Sequence, residues 1–156
     1  MEGTPAVTKI KELRKQWTRE TIHGLSAKPI KDGGKWNYME WTCLIYGKMK
    51  TPWEQGKYEM TMYFDEEFPD TPPRCKFSEG FFHPNVYPSG LICIDILDKD
   101  RGWDSDKTIK EILEAIQNLL DSPNGNDPAN EEAYYLFLED QLVYENRVRE
   151  QAKHNN

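Results

Sequence analysis

Apolar positions in this chain recur with two distinct periods, and the changes between them divide it into a helix, a sheet and a helical tail. Between Val7 and Arg19, the residues Ile10, Leu13 and Trp17 fall at helical spacing with basic residues between them, which predicts an amphipathic first helix. Gly24 ends that pattern. Leu25–Ile30, Trp36–Tyr46 and Lys57–Phe64 then alternate polar and apolar residues. Connected through Gly33-Gly34 and through Gly47 to Gly56, they predict three strands of an antiparallel meander. A shorter strand is predicted over Arg74–Phe77, after Pro69, Pro72 and Pro73; prolines lack the amide hydrogen a central strand needs, so that cluster marks an extended turn.

From Ser78 to Asp106 no period lasts long enough for a regular element, and so long an irregular stretch in a small protein is usually functional. Thr108-Ile109-Lys110-Glu111 then has the order of a capping box, in which hydroxyl and carboxylate satisfy each other's orphan amides at a helix start. Ile109, Ile112, Leu113, Ile116, Leu119 and Leu120 give this helix a wide apolar face and predict that it is the most buried. Beyond the turn from Ser122 to Pro128, two more helices are expected, about Asn130–Leu138 and Asp140–Ala152. The order predicts an α+β fold: an N-terminal helix, a four-stranded antiparallel meander sheet, an active-site loop, then three helices. A single domain over 1–156 is expected, since 156 residues suffice to bury one core without disulfides or metal.

Charge changes this picture in one respect. A net charge of −7 argues against general nucleic-acid binding, which needs clustered cations. Yet Lys9, Lys11, Arg14, Lys15 and Arg19 crowd the first helix, while the segment from Glu131 to Asp140 is acidic and has no base. The asymmetry suggests a basic docking surface for a protein partner, although charge alone fits a solvated helix face equally well. Three cysteines without C-x-x-C spacing build neither a disulfide framework nor a zinc site, so free thiols in a reducing compartment are expected. No apolar run approaches the length of about 18 residues that spans a bilayer, and no signal-peptide pattern is evident, so a soluble protein without membrane association is expected.

The candidate chemistry lies in the irregular segment. His83-Pro84-Asn85 precedes Cys93 across Tyr87-Pro88-Ser89-Gly90, placing an amide and a thiol on one turn-rich stretch where a thiolate could carry an acyl group and an amide could donate to an oxyanion. Taken alone, Leu91-Ile92-Cys93-Ile94 reads as core; the turn and the asparagine favour chemistry. Cys43 and Cys75 lie in strand-like surroundings and read as packing residues. Asp95, Asp98 and Asp100 follow Cys93 with no base within four positions of it, so local charge should raise its pKa. That excludes a protease-like Cys-His pair and suits exchange with an already activated thioester. His83 is then a structural hydrogen-bonding residue rather than a base. Asp127 is a candidate for orienting an incoming nucleophile, with a helix-entry aspartate as the plain alternative.

His83-Pro84-Asn85 with Cys93, the Phe68-Pro69-x-x-Pro72-Pro73 turn, Trp103, the capping-box helix and Asn126-Asp127-Pro128 together resemble the ubiquitin-conjugating enzyme superfamily over nearly the whole chain. Phe82 to Gly90, the ten-position spacing from Cys93 to Trp103, Thr51-Pro52-Trp53-Glu54-x-Gly56 and the segment Tyr144 to Lys153 are most similar to its SUMO-conjugating branch. The resemblance implies that Cys93 accepts SUMO as a thioester from the SUMO-activating enzyme and that a substrate lysine attacks it. Asn85 would stabilise the oxyanion, while Tyr87 and Asp127 would position the lysine and favour its neutral form. Arg74, Lys76, Ser89, Leu91, Pro128 and Ala129, with Tyr87 and Asp127, would bind an apolar-Lys-x-acidic motif. Lys9, Lys11, Arg14, Lys15, Trp17 and Arg19 would bind SUMO and the activating enzyme.

The same resemblance implies no cofactor or metal, ATP being used by the upstream activating enzyme. It implies SUMO ligases and lysine-bearing proteins as partners, a monomer, and residence in nucleus and cytoplasm. Asp95, Leu91, Trp103 to Lys107, Thr18 and Thr21 depart from the branch's pattern, which predicts altered pairing with activating enzymes of distant species. An enzyme dedicated to ubiquitin or another ubiquitin-like protein, a non-catalytic module cradling such a partner, and a small-molecule thiol enzyme are the competing readings.

Overall fold

A computed structural model describes residues 3–156. Helix α1 spans Pro5–Glu20; the Thr4 side chain accepts a hydrogen bond from the Val7 amide at 3.2 Å, and Pro5 begins the helix where its missing amide hydrogen costs nothing. Ala6, Val7, Ile10, Leu13 and Trp17 form its buried face. Strands β1 (Leu25–Asp32), β2 (Lys35–Tyr46), β3 (Lys57–Tyr63) and β4 (Arg74–Phe77) follow as an antiparallel sheet in sequence order. The β1–β2 register shifts between Pro29 and Ile30, where proline cannot donate to the ladder. In β3 the period of two is plain: Tyr58, Met60 and Met62 are buried while Lys57 and Glu59 face solvent.

Helix α2 (Ile109–Asp121) carries the expected capping box, with the Thr108 hydroxyl accepting from the Glu111 amide and the Glu111 carboxylate accepting from the Thr108 amide, each at 3.1 Å. All six residues of its apolar face are buried. Each such aliphatic side chain contributes about 2 kcal/mol when taken from water. Helices α3 (Glu131–Glu139) and α4 (Gln141–His154) complete the chain, with Asn130 and Asp140 as their N-caps. One hydrophobic cluster unites α1, the inner sheet face, α2 and the loop residues Phe81, Phe82, Val86, Ile92 and Trp103. No helix among the described residues is long and apolar enough to cross a membrane.

The α+β order matches the sequence expectation, and the first helix and strands run slightly longer or shorter than their patterns. The difference lies between Ser78 and Asp106. That stretch contains a 3-10 helix at Asp95–Leu97 and two antiparallel bridges, Lys76 with Leu91 and Val86 with Ile92. Both bridges are too short to leave a period in the sequence.

Candidate functional site

The bridges fold Asn85 to Cys93 into a small hairpin. The Cys93 amide donates to the Asn85 carbonyl at 2.9 Å, the Tyr87 amide to the Leu91 carbonyl at 2.9 Å, and the Gly90 amide closes the turn on the Tyr87 carbonyl at 2.8 Å. The hairpin is seated on the edge of β4: Phe77 donates to the Gly90 carbonyl and Ile92 to the Cys75 carbonyl, both at 2.9 Å. Gly90 has φ +97°, and a Cβ there would lie 2.1 Å from the Phe77 carbonyl oxygen, so only glycine permits this approach. Lys76 thereby bridges Leu91 next to the turn, and Arg74 lies two positions before it on β4, toward the Cys93 end of the hairpin.

Beneath the hairpin, His83 is fully buried and neutral. Its Nδ1 accepts from the Asn85 amide at 3.0 Å and its Nε2 donates to the Leu119 carbonyl at 2.7 Å, which assigns the tautomer. Burial lowers its pKa from 6.5 to about 4, against smaller opposing hydrogen bonds from the Leu119 and Leu120 backbone. It ties the loop to α2.

Asn85 is also fully buried, and its side chain is not spent as the sequence suggested. Both amide hydrogens donate to backbone carbonyls, of Asn124 at 2.8 Å and Asp127 at 2.7 Å, and Oδ1 accepts from the Asn124 amide at 3.0 Å. Asn85 therefore clamps the 124–127 turn to the hairpin, instead of aiming a spare hydrogen at Cys93. The Ala129 amide reinforces this clamp by donating to the Pro84 carbonyl at 2.9 Å, which sets Pro128 and Ala129 beside it.

Cys93 is half-buried, whereas Cys43 and Cys75 are buried free thiols. Burial raises Cys43 to about 12 and Cys75 well above its ordinary value, so both are unreactive packing groups. The Cys93 pKa is also raised, first by burial and then by Asp127, with a smaller contribution from Asp98; the Tyr87 hydroxyl and the charge of Arg101 oppose the rise. The direction agrees with the sequence expectation, but burial and the distant Asp127 dominate, and Asp95 and Asp100 do not contribute. Tyr87, exposed at the hairpin tip, has its own pKa raised, chiefly by Cys93.

Asp127 is 8% exposed, and Arg101 grips it through two bonds, Nη2 to Oδ1 at 2.7 Å and Nη1 to Oδ2 at 3.0 Å. The same guanidinium reaches Asp95 at 2.6 Å and Asp98 at 2.8 Å. Sequence reasoning missed Arg101. Its spacing from Asp98 hinted at a local pair, but nothing local marks Asp127, 26 positions away. Asn124 was missed as well; its Oδ1 accepts from the Asn126 and Asp127 amides, both at 3.0 Å, and shapes the turn.

Away from this centre, Lys9, Lys11, Arg14, Lys15 and Arg19 are exposed or half-exposed on α1. Arg14 lies over Trp36 at 4.3 Å and Lys11 over Tyr38 at 5.2 Å, so two aromatic rings belong to this basic face. Trp17 does not. It is 3% exposed and its indole donates to the Ala27 carbonyl at 3.1 Å, which makes it the anchor of α1 on β1 rather than a docking residue.

A half-buried thiol on a hairpin that also carries a tyrosine, a buried carboxylate whose charge is felt at that thiol, and a basic helix apart from both suit acyl transfer to an amine delivered by a protein. The family model for ubiquitin-conjugating enzymes matches residues 9–152. The chain is 49% identical over 146 residues to a SUMO-conjugating enzyme of Arabidopsis thaliana, covering 93% of this chain and 91% of that protein. It is 43% identical over 148 residues to one of Caenorhabditis elegans, covering 94% and 89%, and 43% identical over 146 residues to one of Dictyostelium discoideum, covering 93% and 92%.

Proposed function

The chain belongs to the ubiquitin-conjugating enzyme family, and we propose from that premise that it is a SUMO-conjugating enzyme, taking SUMO as a thioester on Cys93 and passing it to substrate lysines as an isopeptide. The observation that carries the reading is the Tyr87–Cys93–Asp127 constellation, one half-buried thiol with a phenol and a carboxylate within its field. The names of the relatives favour SUMO as the modifier.

A raised thiol pKa suits this chemistry. The incoming SUMO is already a thioester, so exchange needs only a small thiolate fraction, and a weakly ionised thiol is idle toward other electrophiles. Tyr87 and Asp127 then position the acceptor lysine, and Asn85 keeps Asp127 in place. Arg74, Lys76, Ser89, Leu91, Pro128 and Ala129 form the substrate-facing rim, and the basic face of α1 with Trp36 and Tyr38 receives SUMO and the activating enzyme. The chemistry asks for no cofactor on this chain.

A non-reducing gel tests the reading after the protein is mixed with ATP, the SUMO-activating enzyme and either SUMO or ubiquitin. A reducible adduct with SUMO, lost in Cys93→Ser and formed more slowly as salt screens α1, is expected. An adduct with ubiquitin alone would sink the SUMO assignment, no adduct with either would favour a binding module, and salt-insensitive charging would remove α1 from the docking surface.

A further inference from the structure

Arg74, on the substrate-facing rim, belongs to a row of side chains that runs from the thiol across the sheet. Extending the register of the Lys76–Leu91 bridge by two residues sets Arg74 opposite Cys93, and the ladders set Tyr63 opposite Arg74 and Glu40 opposite Tyr63. Trp41, Met62, Cys75 and Ile92 are buried, so their neighbours Glu40, Tyr63, Arg74 and Cys93 share the outer face. Thiol, guanidinium, phenol and carboxylate thus follow one another at about the 4.8 Å spacing of strands.

Arg74 is exposed, and no ion pair among the described residues holds it. Its guanidinium lies over the Tyr63 ring instead, 5.9 Å from the centroid, within the range of a cation–π contact. An arginine stacked on a ring keeps the donors at the edge of its plane free, in the fork that matches a carboxylate. A long side chain loose on a sheet surface would lose rotamer freedom when a ligand ordered it, and that loss weakens binding. Tyr63 removes part of the loss beforehand. The ring also stands between Arg74 and Glu40, the row's own carboxylate, which would otherwise neutralise the cation from its far side. Lys76 has no such support, because it faces Thr61.

An acceptor whose lysine reaches Cys93 has one strand spacing to cross before a later side chain meets Arg74. Two residues of extended chain span about 7 Å, which is enough. We propose that Tyr63 is a positioning residue for substrate selection: it holds Arg74 stacked and unpaired beside the thiol, so that the guanidinium reads a carboxylate two residues after the acceptor lysine. The inference rests on the conjugating-enzyme reading and extends the substrate rim to a side chain of β3, one strand behind it.

Two acceptor peptides that differ only in Glu or Gln two residues after the lysine separate this role from support of the fold. Wild type, Tyr63→Phe and Tyr63→Leu are charged with SUMO, the activating enzyme is quenched, and single-turnover discharge is followed over a range of peptide concentrations. Wild type should prefer the Glu peptide. Loss of an exposed cation–π contact should lower that preference about two- to fivefold in Tyr63→Leu, through weaker apparent binding of the Glu peptide. Tyr63→Phe keeps the ring and should keep the preference. Arg74→Gln should abolish it, and adding Tyr63→Leu to that variant should change the ratio of the two rates no further, since the tyrosine acts through Arg74. Equal slowing with both peptides would mean that Tyr63 merely supports the sheet, and would overturn the proposal. An undiminished preference in Tyr63→Leu, or a wild type indifferent to Glu, would overturn it as well. Tyr63→Met makes the same comparison if the Leu variant does not charge. Failure of the wild type to form any thioester would instead overturn the reading on which the proposal rests.

Discussion

Asn85 spends both hydrogens of its amide on the carbonyls of Asn124 and Asp127, and its oxygen on the Asn124 amide. Truncation to alanine removes the partners of the buried Asp127 carbonyl, at about 1–3 kcal/mol, and of the part-buried Asn124 carbonyl and amide, so the turn that carries Asp127 should loosen. Asn85→Ala is expected to charge nearly normally and to discharge to lysine roughly 100-fold more slowly, a loss of the size an oxyanion donor would also give. The double variant separates the two roles. If Asn85 acts by placing Asp127, Asn85→Ala combined with Asp127→Ala should discharge no more slowly than the worse single variant, because coupled residues are not additive. Multiplied losses in single-turnover rates would return the amide to the oxyanion.

At the scale of elements, the hairpin from Asn85 to Cys93 places the thiol, and Gly90 is the residue on which its seat depends. Alanine there would need a strained positive φ and would push a methyl into the Phe77 carbonyl at 2.1 Å. The hairpin must then lift from β4. Gly90→Ala should slow thioester formation at least about tenfold, since a misplacement worth 1.4 kcal/mol suffices, while far-UV circular dichroism stays unchanged. Normal charging would show that the seat on β4 is not what places Cys93. This hairpin also marks the limit of what sequence periodicity reveals. Helix α2 and strand β3 repeat their apolar residues often enough to declare themselves, and Thr108 with Glu111 announces a helix start locally. Val86 with Ile92 is a single bridge and leaves no period. Cys93 and Asp127 were legible as residue types and through resemblance. The grip of Arg101 on Asp127 was not, because a contact between two distant turns is written only in the fold. Trp17 misled for the opposite reason: its place among basic residues looked like a surface, whereas its helical phase with Ile10 and Leu13 put it in the core.

Across the whole molecule, the site is stapled to the core through His83, which joins the Asn85 amide to the Leu119 carbonyl of α2 and packs its ring 5.6 Å from Trp53. The arrangement requires a neutral imidazole, since Nδ1 must accept. With a folded pKa of about 4 against 6.5 in the open chain, the unfolded state binds more protons between those two values. Stability contributed by His83 is therefore fully present above about pH 6.5 and is lost as pH falls toward about 4, to an extent of about 3 kcal/mol. Carboxylates held by partners, such as Asp98 and Asp104, whose pKa values are lowered, add their own loss at more acid pH. His83→Gln keeps an amide hydrogen for the Leu119 carbonyl and an oxygen for the Asn85 amide, yet cannot take up a proton. Urea midpoints measured from about pH 7 to about pH 4 should fall more steeply in the wild type than in His83→Gln, the difference opening below about pH 6.5. Parallel slopes would place the acid sensitivity in the carboxylates alone and would separate the stability of the active-site loop from the protonation of its buried histidine.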